Sequence, residues 1–229
     1  MHVGKFEMRT VFLAAPSFPS RGWRLFCVSI ILGLFLTGCA TTGNIDPKYD
    51  VSVKRETGLV LFSVTHDDYR GPFGSLARDL SFRIKMLDRN SNTELPFAFS
   101  NDSGNRFATS PFEPTWGNYF VREYPAGRYA FIGWQLLQII PYGSRTFEPK
   151  VAPVPLDFEV LPGGVVYLGN LHGELVMGKN WLGAQQVFGV VPQIRNESER
   201  DLALILKQYP QLAGKVEVRT VPVEPWGPR

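Results

Sequence analysis

Two short stretches of the sequence place imidazole and carboxylate groups near one another. His66, Asp67 and Asp68 are consecutive and would form a ligand set for a divalent cation if a turn made them converge. His172 and Glu174 are two residues apart, a spacing that puts both on one face of a strand, where a carboxylate can orient an imidazole base. The alternatives are a solvated loop for the first stretch and a cross-strand polar pair on the wet face of a sheet for the second. We expect these alternatives and predict no catalytic residue and no metal ligand.

Other signatures of catalysis or cofactor binding do not occur in the sequence. It contains no Gly-x-Ser-x-Gly stretch for a serine nucleophile. It also contains no Gly-x-Gly-x-x-Gly or Walker-type loop for a phosphate group. We therefore expect a protein that is not an enzyme and that needs no cofactor.

The second of two cysteines in this chain of 229 residues closes an uncharged apolar run. Residues 25–36 form that run, basic residues precede it, and Thr37 and Gly38 separate it from Cys39. A basic segment, an apolar segment and small residues, in this order, are the layout of a secretory signal. Twelve helical residues reach about 18 Å, which is short of the roughly 30 Å hydrocarbon core of a bilayer. We predict that residues 1–38 are a signal peptide that is cut off.

The four residues Leu36-Thr37-Gly38-Cys39 resemble the lipobox of bacterial lipoproteins. In that family a diacylglyceryl group is attached to the cysteine sulfur, signal peptidase II cuts before the cysteine, and the new amino terminus is acylated. The resemblance implies lipidation at Cys39 and attachment to the bacterial cell envelope, which three acyl chains make permanent. Ala40 stands where the family uses Asp for inner-membrane retention, which implies the outer membrane, facing the periplasm. The alternative is a plain secretory signal followed by a buried cysteine.

Removal of residues 1–38 changes both the thiol content and the charge of the chain. Cys27 would leave with the signal peptide and Cys39 would carry lipid, so no thiol remains for a disulfide, a nucleophile or a zinc site. The full chain has 24 Lys and Arg and 21 Asp and Glu. The signal peptide holds four of the former and one of the latter, which leaves twenty of each. A body without net charge is not attracted to the phosphates of a nucleic acid, so we predict no nucleic-acid partner. The predicted contact with the membrane is made through the lipid.

A polar stretch separates the cysteine from the body of the chain. Residues 39–55 are rich in turn formers and show no apolar period. We predict a lipidated cysteine followed by a flexible tether, which would reach roughly 20 to 25 Å on average. Such a tether would hold a folded domain clear of the lipid surface.

The body, residues 56–224, shows repeated short alternations of apolar and polar residues that are typical of strands. The strand-like stretches are 58–65, 79–87, 118–124, 127–140, 155–162, 164–176, 183–191 and 215–224, with 95–100 as a further candidate. Turn residues separate most of them, so we predict a mainly β protein, an antiparallel β-sandwich of seven to eight strands. Residues 141–155 hold four prolines and are predicted to be an extended loop or edge segment. Residues 225–229 are expected to be a loose tail.

One short helix is predicted between Asn196 and Pro210. Asn196 is placed to cap its start, with Glu199 in capping-box spacing, and Pro210 ends it. The apolar residues that fall on one face are Leu202, Ile205, Leu206 and Tyr209. We expect this face to pack on a sheet edge.

Two turn-and-strand features resemble prealbumin-like domains of the carboxypeptidase-regulatory type. Residues 124–129 read Tyr-Pro-Ala-Gly-Arg-Tyr, and residues 158–171 contain a Gly-Gly turn before a tyrosine-bearing strand. In that family such turns open the strands of a sandwich, and the domains serve binding, spacing or surface interaction. The resemblance implies a sandwich fold and transfers no catalytic residue.

Aromatic side chains outside the predicted core are the candidates for partner binding, because rigid aromatic area binds at low entropic cost. Trp116 and Trp181 stand beside Gly and Asn in stretches predicted as loops, and Tyr119 lies close to the first of them. Trp134 lies in an apolar strand and is assigned to the core. We take Trp116, Tyr119 and Trp181 as possible partner-binding residues.

Two functional hypotheses remain. The first is a lipid-anchored, non-enzymatic binding or structural module for an envelope protein or glycan. The second is a periplasmic hydrolase of envelope glycans, in which His172, Glu174 or the Asp67 and Asp68 pair would act as acid and base. Its paired carboxylates should stand about 5 to 10 Å apart across an open cleft. The anchor, the tether and the lack of a catalytic set favour the first hypothesis.

Overall fold

The computed structural model describes residues 44–50, 56–67, 80–100, 110–140, 143–183, 185–222 and 226. All of them belong to the second of two units into which the chain divides, Thr42–Arg229. The predicted signal peptide, Cys39, Asp68 and tail residues 225 and 227–229 lie outside the described residues. Within the described ranges, no helix is long and apolar enough to cross a membrane.

The described strands form two five-stranded sheets, which we call sheet A and sheet B. The strands are β1 Thr57–Asp67, β2 Leu80–Asp88, β3 Thr93–Ser100, β4 Thr115–Pro125, β5 Gly127–Ile140, β6 Gly143–Phe147, β7 Leu156–Val160, β8 Val165–Lys179, β9 Gln185–Arg195 and β10 Val216–Val218. In sheet A the order is β10, β8, β1, β4, and β9 also pairs with β8. In sheet B the order is β3, β2, β5, β6, and β7 also pairs with β5.

The mainly β fold predicted from the sequence is confirmed, with ten described strands rather than seven or eight. The additional strands are β3, at the uncertain candidate stretch, and β6, an edge strand inside the proline-rich segment. Most strand pairs are antiparallel, but β1 pairs with β8 in parallel, and so does β10. A period of two in the sequence predicts that a segment is a strand, but it carries no information about the direction of the neighbouring strand.

The inner faces of the two sheets bury a shared apolar core. Phe62 in sheet A lies with its ring centroid 5.3 Å from that of Phe99 and 5.0 Å from that of Phe131, both in sheet B. None of these three rings is exposed. A fully buried Phe contributes about 1.5–3 kcal/mol, so these rings hold the two sheets together.

A helix, α1 Ser198–Gln208, covers part of the outer face of sheet A. Because side chains alternate along β1, Leu59 and Leu61 point away from the shared core and need cover of their own. Ile205 and Tyr209 supply it in a second apolar cluster. The helix residues in contact with this cluster are Leu202, Ile205, Leu206 and Tyr209, which confirms the predicted apolar face. The helix packs on the face of the sheet, so the predicted edge position was wrong.

The start of α1 differs from the predicted capping box. Glu197 is the N-cap residue and makes no side-chain cap hydrogen bond. Asn196 lies one residue earlier, where its Oδ1 accepts a hydrogen bond from the Ser198 N–H at 3.3 Å. The helix ends at Gln208, and Pro210 begins a short 3-10 turn. The predicted end is therefore right, and the predicted reciprocal cap is wrong.

Residues 44–50, predicted to belong to a flexible tether, are packed against sheet A. The Asn44 side chain accepts a hydrogen bond from the Val121 N–H at 3.0 Å and donates one to the Tyr119 carbonyl at 3.3 Å. The Ile45 N–H donates to the Val121 carbonyl at 2.9 Å. The side chains of Ile45 and Tyr49 are partly buried and pack against the apolar cluster beneath α1. The tether prediction is wrong over these residues, because two apolar side chains are too few to show a period and yet enough to dock the segment.

Trp226, predicted to lie in a loose tail, is also docked. Its side chain is 3% exposed, and its indole N–H donates to the Val154 carbonyl at 2.9 Å. Its backbone N–H donates to the Pro192 carbonyl at 2.9 Å, which ties the chain to β9. The description of this residue as loose was wrong.

Candidate functional site

Two stretches that the sequence analysis singled out, one with Asp67 and one with His172, meet on the side of sheet A that carries α1. β1 and β8 run in parallel, with Thr65 opposite His172. His172 Nδ1 lies 2.9 Å from Thr65 Oγ1, and His172 Nε2 lies 3.0 Å from Asp67 Oδ1. The second Asp67 oxygen accepts a hydrogen bond from the Leu175 N–H at 2.9 Å. The imidazole of His172 is therefore hydrogen-bonded on one side to the Thr65 hydroxyl and on the other to the Asp67 carboxylate.

Burial keeps the His172 ring neutral. The residue is 1% exposed, and burial, followed by the nearby charge of Arg195, lowers the pKa of His172 to about 4 against the opposing effect of Asp67. In the neutral ring, Nε2 donates to Asp67 and Nδ1 accepts from the Thr65 hydroxyl. Glu174 is not the partner of His172; it is exposed and accepts a hydrogen bond from Gln193 Nε2 at 2.5 Å. The predicted cross-strand polar pair on the wet face therefore occurs for Glu174, with Gln193 of β9, and was wrong for His172, which is buried.

From Thr65 a buried polar chain continues toward α1. Thr65 Oγ1 lies 3.2 Å from Asn170 Oδ1, a contact between two acceptors because the Thr65 proton is given to His172, and Asn170 Nδ2 donates to Ser63 Oγ at 2.7 Å. The Ser63 hydroxyl donates to the carboxylate of Asp201. The Tyr167 hydroxyl donates to the same carboxylate at 2.6 Å. Side chains from β1, β8 and α1 thus form this buried polar chain, in which hydrogen bonds join Asn170, Ser63, Tyr167 and Asp201.

Asp201 ends this polar chain and has no exposed area. Arg200 Nη2 lies 2.8 Å from its Oδ1, and the Arg200 side chain is 35% exposed. The Arg200 guanidinium also lies 4.9 Å from the centroid of the Phe112 ring. Burial and the adjacent Asp201 charge raise the pKa of the Tyr167 hydroxyl, which stays protonated as a donor. Asp201 is thereby satisfied by two hydroxyls and one cation, and it fastens α1 to the sheet.

The polar chain holds the fold together and is not presented to a substrate. Thr65 has no exposed area and His172 has almost none, so neither reaches a molecule in solvent. Asp67, at 45% side-chain exposure, is the most open member of the hydroxyl, imidazole and carboxylate set, and both of its oxygens are engaged. In the part of the chain that the structure describes, no three His, Cys, Asp or Glu side chains are grouped so that they could hold a metal ion.

The turn between β8 and β9 carries the two most exposed large apolar side chains of the described residues. Trp181 is 90% exposed and Leu182 is 69% exposed. The turn is closed by Asn180, whose side chain accepts from the Leu182 N–H at 3.0 Å and whose carbonyl accepts from the Gly183 N–H at 2.9 Å. The predicted exposure of Trp181 in a loop is confirmed. Its role in partner binding stays a prediction.

A bulge in β9 turns a further aromatic ring outward. Val176 pairs with Gly189 and Met177 pairs with Val187, so Phe188 is an extra residue in β9. Val187 is fully buried in the shared core, whereas Phe188 is 51% exposed. The regular alternation predicted for this strand does not show the bulge, because the register of two strands decides it.

Three exposed apolar side chains, Val176, Phe188 and Val191, form what we call the hairpin face. Their exposed fractions are 44%, 51% and 40%. The Phe188 ring covers Gly178, where an added Cβ would lie 2.7 Å from ring atoms. One edge of the Phe188 ring therefore packs closely on Gly178, which limits how the side chain can move, while half of the side chain stays open to solvent.

Trp116 and Tyr119 do not lie in a loop, as was predicted for the tryptophan, but in β4. β4 begins at Thr115, before the predicted start, and its alternation puts Trp116 on the same side as buried Phe120. Trp116 is 8% exposed, so it does not present a face to a partner. Tyr119 is half-buried, and its hydroxyl donates to Gln208 of α1. The predicted exposure of Trp116 was wrong.

The sequence reasoning missed Ser63, Asn170 and Asp201, the centre of the buried polar chain. A signal was present in β1, where hydroxyl residues at 63 and 65 follow Leu59 and Leu61 at the same alternate positions of a strongly apolar strand. Such residues need buried hydrogen-bond partners. The identity of those partners could not be read from the sequence, because Asp201 lies 138 positions from Ser63.

The chain matches no family model and no curated protein. Among solved structures, a leucine-rich repeat protein from Bacteroides thetaiotaomicron is similar over 50% of this chain, with 13% identity and a TM-score of 0.29. The match covers 13% of that protein. A likeness this low carries no argument about fold or function.

Proposed function

We propose that this protein is a lipid-anchored component of the bacterial cell envelope, held through Cys39 in the outer membrane and facing the periplasm. Its sandwich acts as a non-enzymatic binding or structural module for an envelope protein or glycan. The lipobox resemblance supports the anchor, and the prealbumin-like resemblance supports a role in binding. The observation that carries the binding role is the hairpin face, an exposed apolar surface on paired strands.

The hairpin face has the properties of a binding surface. Half of the Phe188 side chain is open to solvent, while contact with Gly178 limits its freedom to move. A ring that is already held loses little entropy on binding, and buried aromatic anchors at interfaces contribute about 2 kcal/mol or more. Glu174 and Gln193 lie next to Val191 and supply a polar rim.

The arrangement around His172 supports a non-enzymatic role. An acid or base must come within hydrogen-bond distance of its substrate. His172 and Thr65 are buried and already bonded to protein groups, and Glu174 is bonded to Gln193. A hydrolase based on these residues would first have to break the hydrogen bonds that join β1 to β8.

The anchor is tested by feeding cells labelled palmitate. We expect label in the wild-type protein and none in Cys39→Ser, because the thiol is the proposed site of the thioether. The wild-type protein should be recovered with the membrane fraction, and mass spectrometry of its N-terminal peptide should show a lipidated cysteine. An unmodified thiol in the membrane-bound wild-type protein would refute the anchor.

The binding role is tested by placing a photo-crosslinking amino acid at one position at a time in living cells. We expect a discrete crosslinked adduct from position 188, because Phe188 lies at the centre of the hairpin face. Ile139, which is 43% exposed on sheet B, is the matched control and should give no such adduct. Phe188→Asp should reduce partner capture several-fold with an unchanged midpoint of thermal unfolding, whereas Ile139→Asp should not reduce it. Equal crosslinking at both positions would contradict the proposal.

A further inference from the structure

We infer that the tip of the β8–β9 hairpin, residues 179–183, docks on the surface of the lipid bilayer and fixes how the sandwich lies on the membrane. The inference rests on the lipid anchor of the proposed function. It leaves the hairpin face, on the strands behind the tip, free for a partner.

The link between the anchor and the sandwich is short. Residues 44–50 are docked on sheet A, so the chain enters the folded domain at Asn44. Five residue steps separate Cys39 from Asn44, and five steps of extended chain span at most about 17 Å. A lipidated Cys39 therefore holds the sandwich against the bilayer instead of letting it stand clear.

The docked segment points to the end of the sandwich where the hairpin tip lies. Tyr49 is close to Glu123, whereas Asn44 is bonded to Tyr119 and Val121. Since β1 and β4 are antiparallel, moving from Tyr49 back to Asn44 leads toward the end of β1 at Asp67. β8 pairs with β1 as far as Gly173 and then continues with β9 to Lys179, beyond the end of β1. The docked segment therefore runs, from Tyr49 back to Asn44, toward the half of the sandwich that carries the hairpin tip.

The chemistry of the tip matches a lipid interface. Trp181 and Leu182 offer exposed apolar area, and tryptophan is enriched at the boundary between headgroups and acyl chains. Lys179 is exposed and supplies a cation for anionic headgroups. Between Glu174 and Glu197 the sequence has no carboxylate that a bilayer would repel. A protein partner for the tip is the competing assignment, and the experiment below separates the two.

The two membrane contacts also limit the tilt of the sandwich. From the level of Asn44 to the tip, the register of β1 and β8 gives eleven residue steps, or about 36 Å. If the tip touches the membrane, Asn44 can be no more than about 17 Å above it, the reach of the link to Cys39. Because Asn44 is about 36 Å from the tip along the strands, the strands must make an angle below about 30° with the membrane. The sandwich then lies along the membrane.

Trp181 provides an intrinsic probe for the test. Three tryptophans in the described part of the body, Trp116, Trp134 and Trp226, are 8%, 7% and 3% exposed. The difference in fluorescence between the wild-type protein and Trp181→Phe therefore reports on the tip. The purified lipidated protein is placed in vesicles of phosphatidylethanolamine and phosphatidylglycerol, with and without bromine on the acyl chains near the headgroups.

We expect brominated lipid to quench most of the Trp181 signal and iodide in the water to quench it several-fold less than it quenches free tryptophan amide. Leu182→Asp should lose most of the quenching by brominated lipid while still floating with the vesicles. Val151→Asp, at a position 62% exposed elsewhere, is the control and should behave like wild type.

The outcomes separate the inference from the proposed function. A protein that carries lipid on Cys39 and floats with the vesicles, but whose Trp181 is open to iodide and untouched by brominated lipid, overturns the inference and leaves the anchor intact. That result would assign the tip to a protein partner. A protein whose Cys39 carries no lipid removes the anchor itself.

Discussion

Asp201→Ala is expected to lower the free energy of unfolding by about 2–6 kcal/mol, because it leaves two buried hydroxyls without an acceptor. The carboxylate has no exposed area and accepts hydrogen bonds from Ser63 and Tyr167. After the substitution both hydroxyls would be buried without an acceptor, and each such group costs about 1–3 kcal/mol. Arg200 is partly exposed and can turn to water, so the stranded hydroxyls carry most of the cost.

Urea unfolding of the variants measures this loss. Glu199→Ala is the matched control, since Glu199 is an exposed acid on the same helix and should change stability by no more than about 0.5 kcal/mol. Tyr167→Phe removes one stranded donor, so the double variant should lose less than the sum of the two single variants. A loss below about 1 kcal/mol in Asp201→Ala, or strict additivity with Tyr167→Phe, would show that this contact does not fasten α1.

Loss of Asp201 should also affect the link to the anchor. Residues 44–50 pack on the apolar cluster that α1 covers, and the Tyr209 hydroxyl at the end of α1 donates to the Ile45 carbonyl at 3.1 Å. A loosened helix would release residues 44–50 from this cluster. Under the proposed lipidation of Cys39, loss of Asp201 would therefore also loosen the hold of the membrane on the sandwich.

Lowering the pH from about 6.5 to about 4 is expected to lower the free energy of unfolding by about 3 kcal/mol through the titration of His172 alone. The unfolded chain takes up a proton near the ordinary pKa of 6.5, whereas the buried ring in the folded protein has a pKa of about 4. Between these values the unfolded state binds more protons, so stability falls as the pH drops from about 6.5 to about 4. Above about 6.5 both states are neutral at this residue, and His172 adds no pH dependence.

The acid effect is isolated by comparing wild type with His172→Gln across this pH range in urea unfolding. Glutamine does not titrate, so the wild-type protein should lose about 3 kcal/mol more than the variant between pH 6.5 and pH 4. Contributions of acids that do not contact His172 are common to both proteins and cancel in the difference. Parallel stability curves for the two proteins would mean that the ring is not kept neutral by burial.

Several parts of the fold were predictable because they depend on neighbours in the sequence. Alternation with a period of two located the segments that became β1, β2 and β5, and the apolar spacing of α1 identified its buried face. Trp181 lies beside Asn180 and two residues before Gly183, in a turn whose exposure the sequence indicated. The outward turn of Phe188 was not predictable in this way, because a bulge depends on the pairing of two strands.

The candidate site depended on partners far apart in the chain. Glu174, two residues away, was the carboxylate that the sequence offered to His172, and the carboxylate that His172 contacts is Asp67, which lies 105 positions away. The parallel register of β1 and β8 brings them together. The docking of residues 44–50 likewise depends on the space that α1 and β4 leave between them, which no local pattern describes.

The sequence by itself determined most of the strand segments, the helix and its apolar side, and the side-chain chemistry available at Cys39 and Trp181. The tertiary structure alone decided which strands run in parallel, which polar groups are buried together, and that residues 44–50 pack on sheet A. The physical reason is that side-chain alternation is a property of consecutive residues, whereas burial and hydrogen bonding depend on distances that only the packed chain defines.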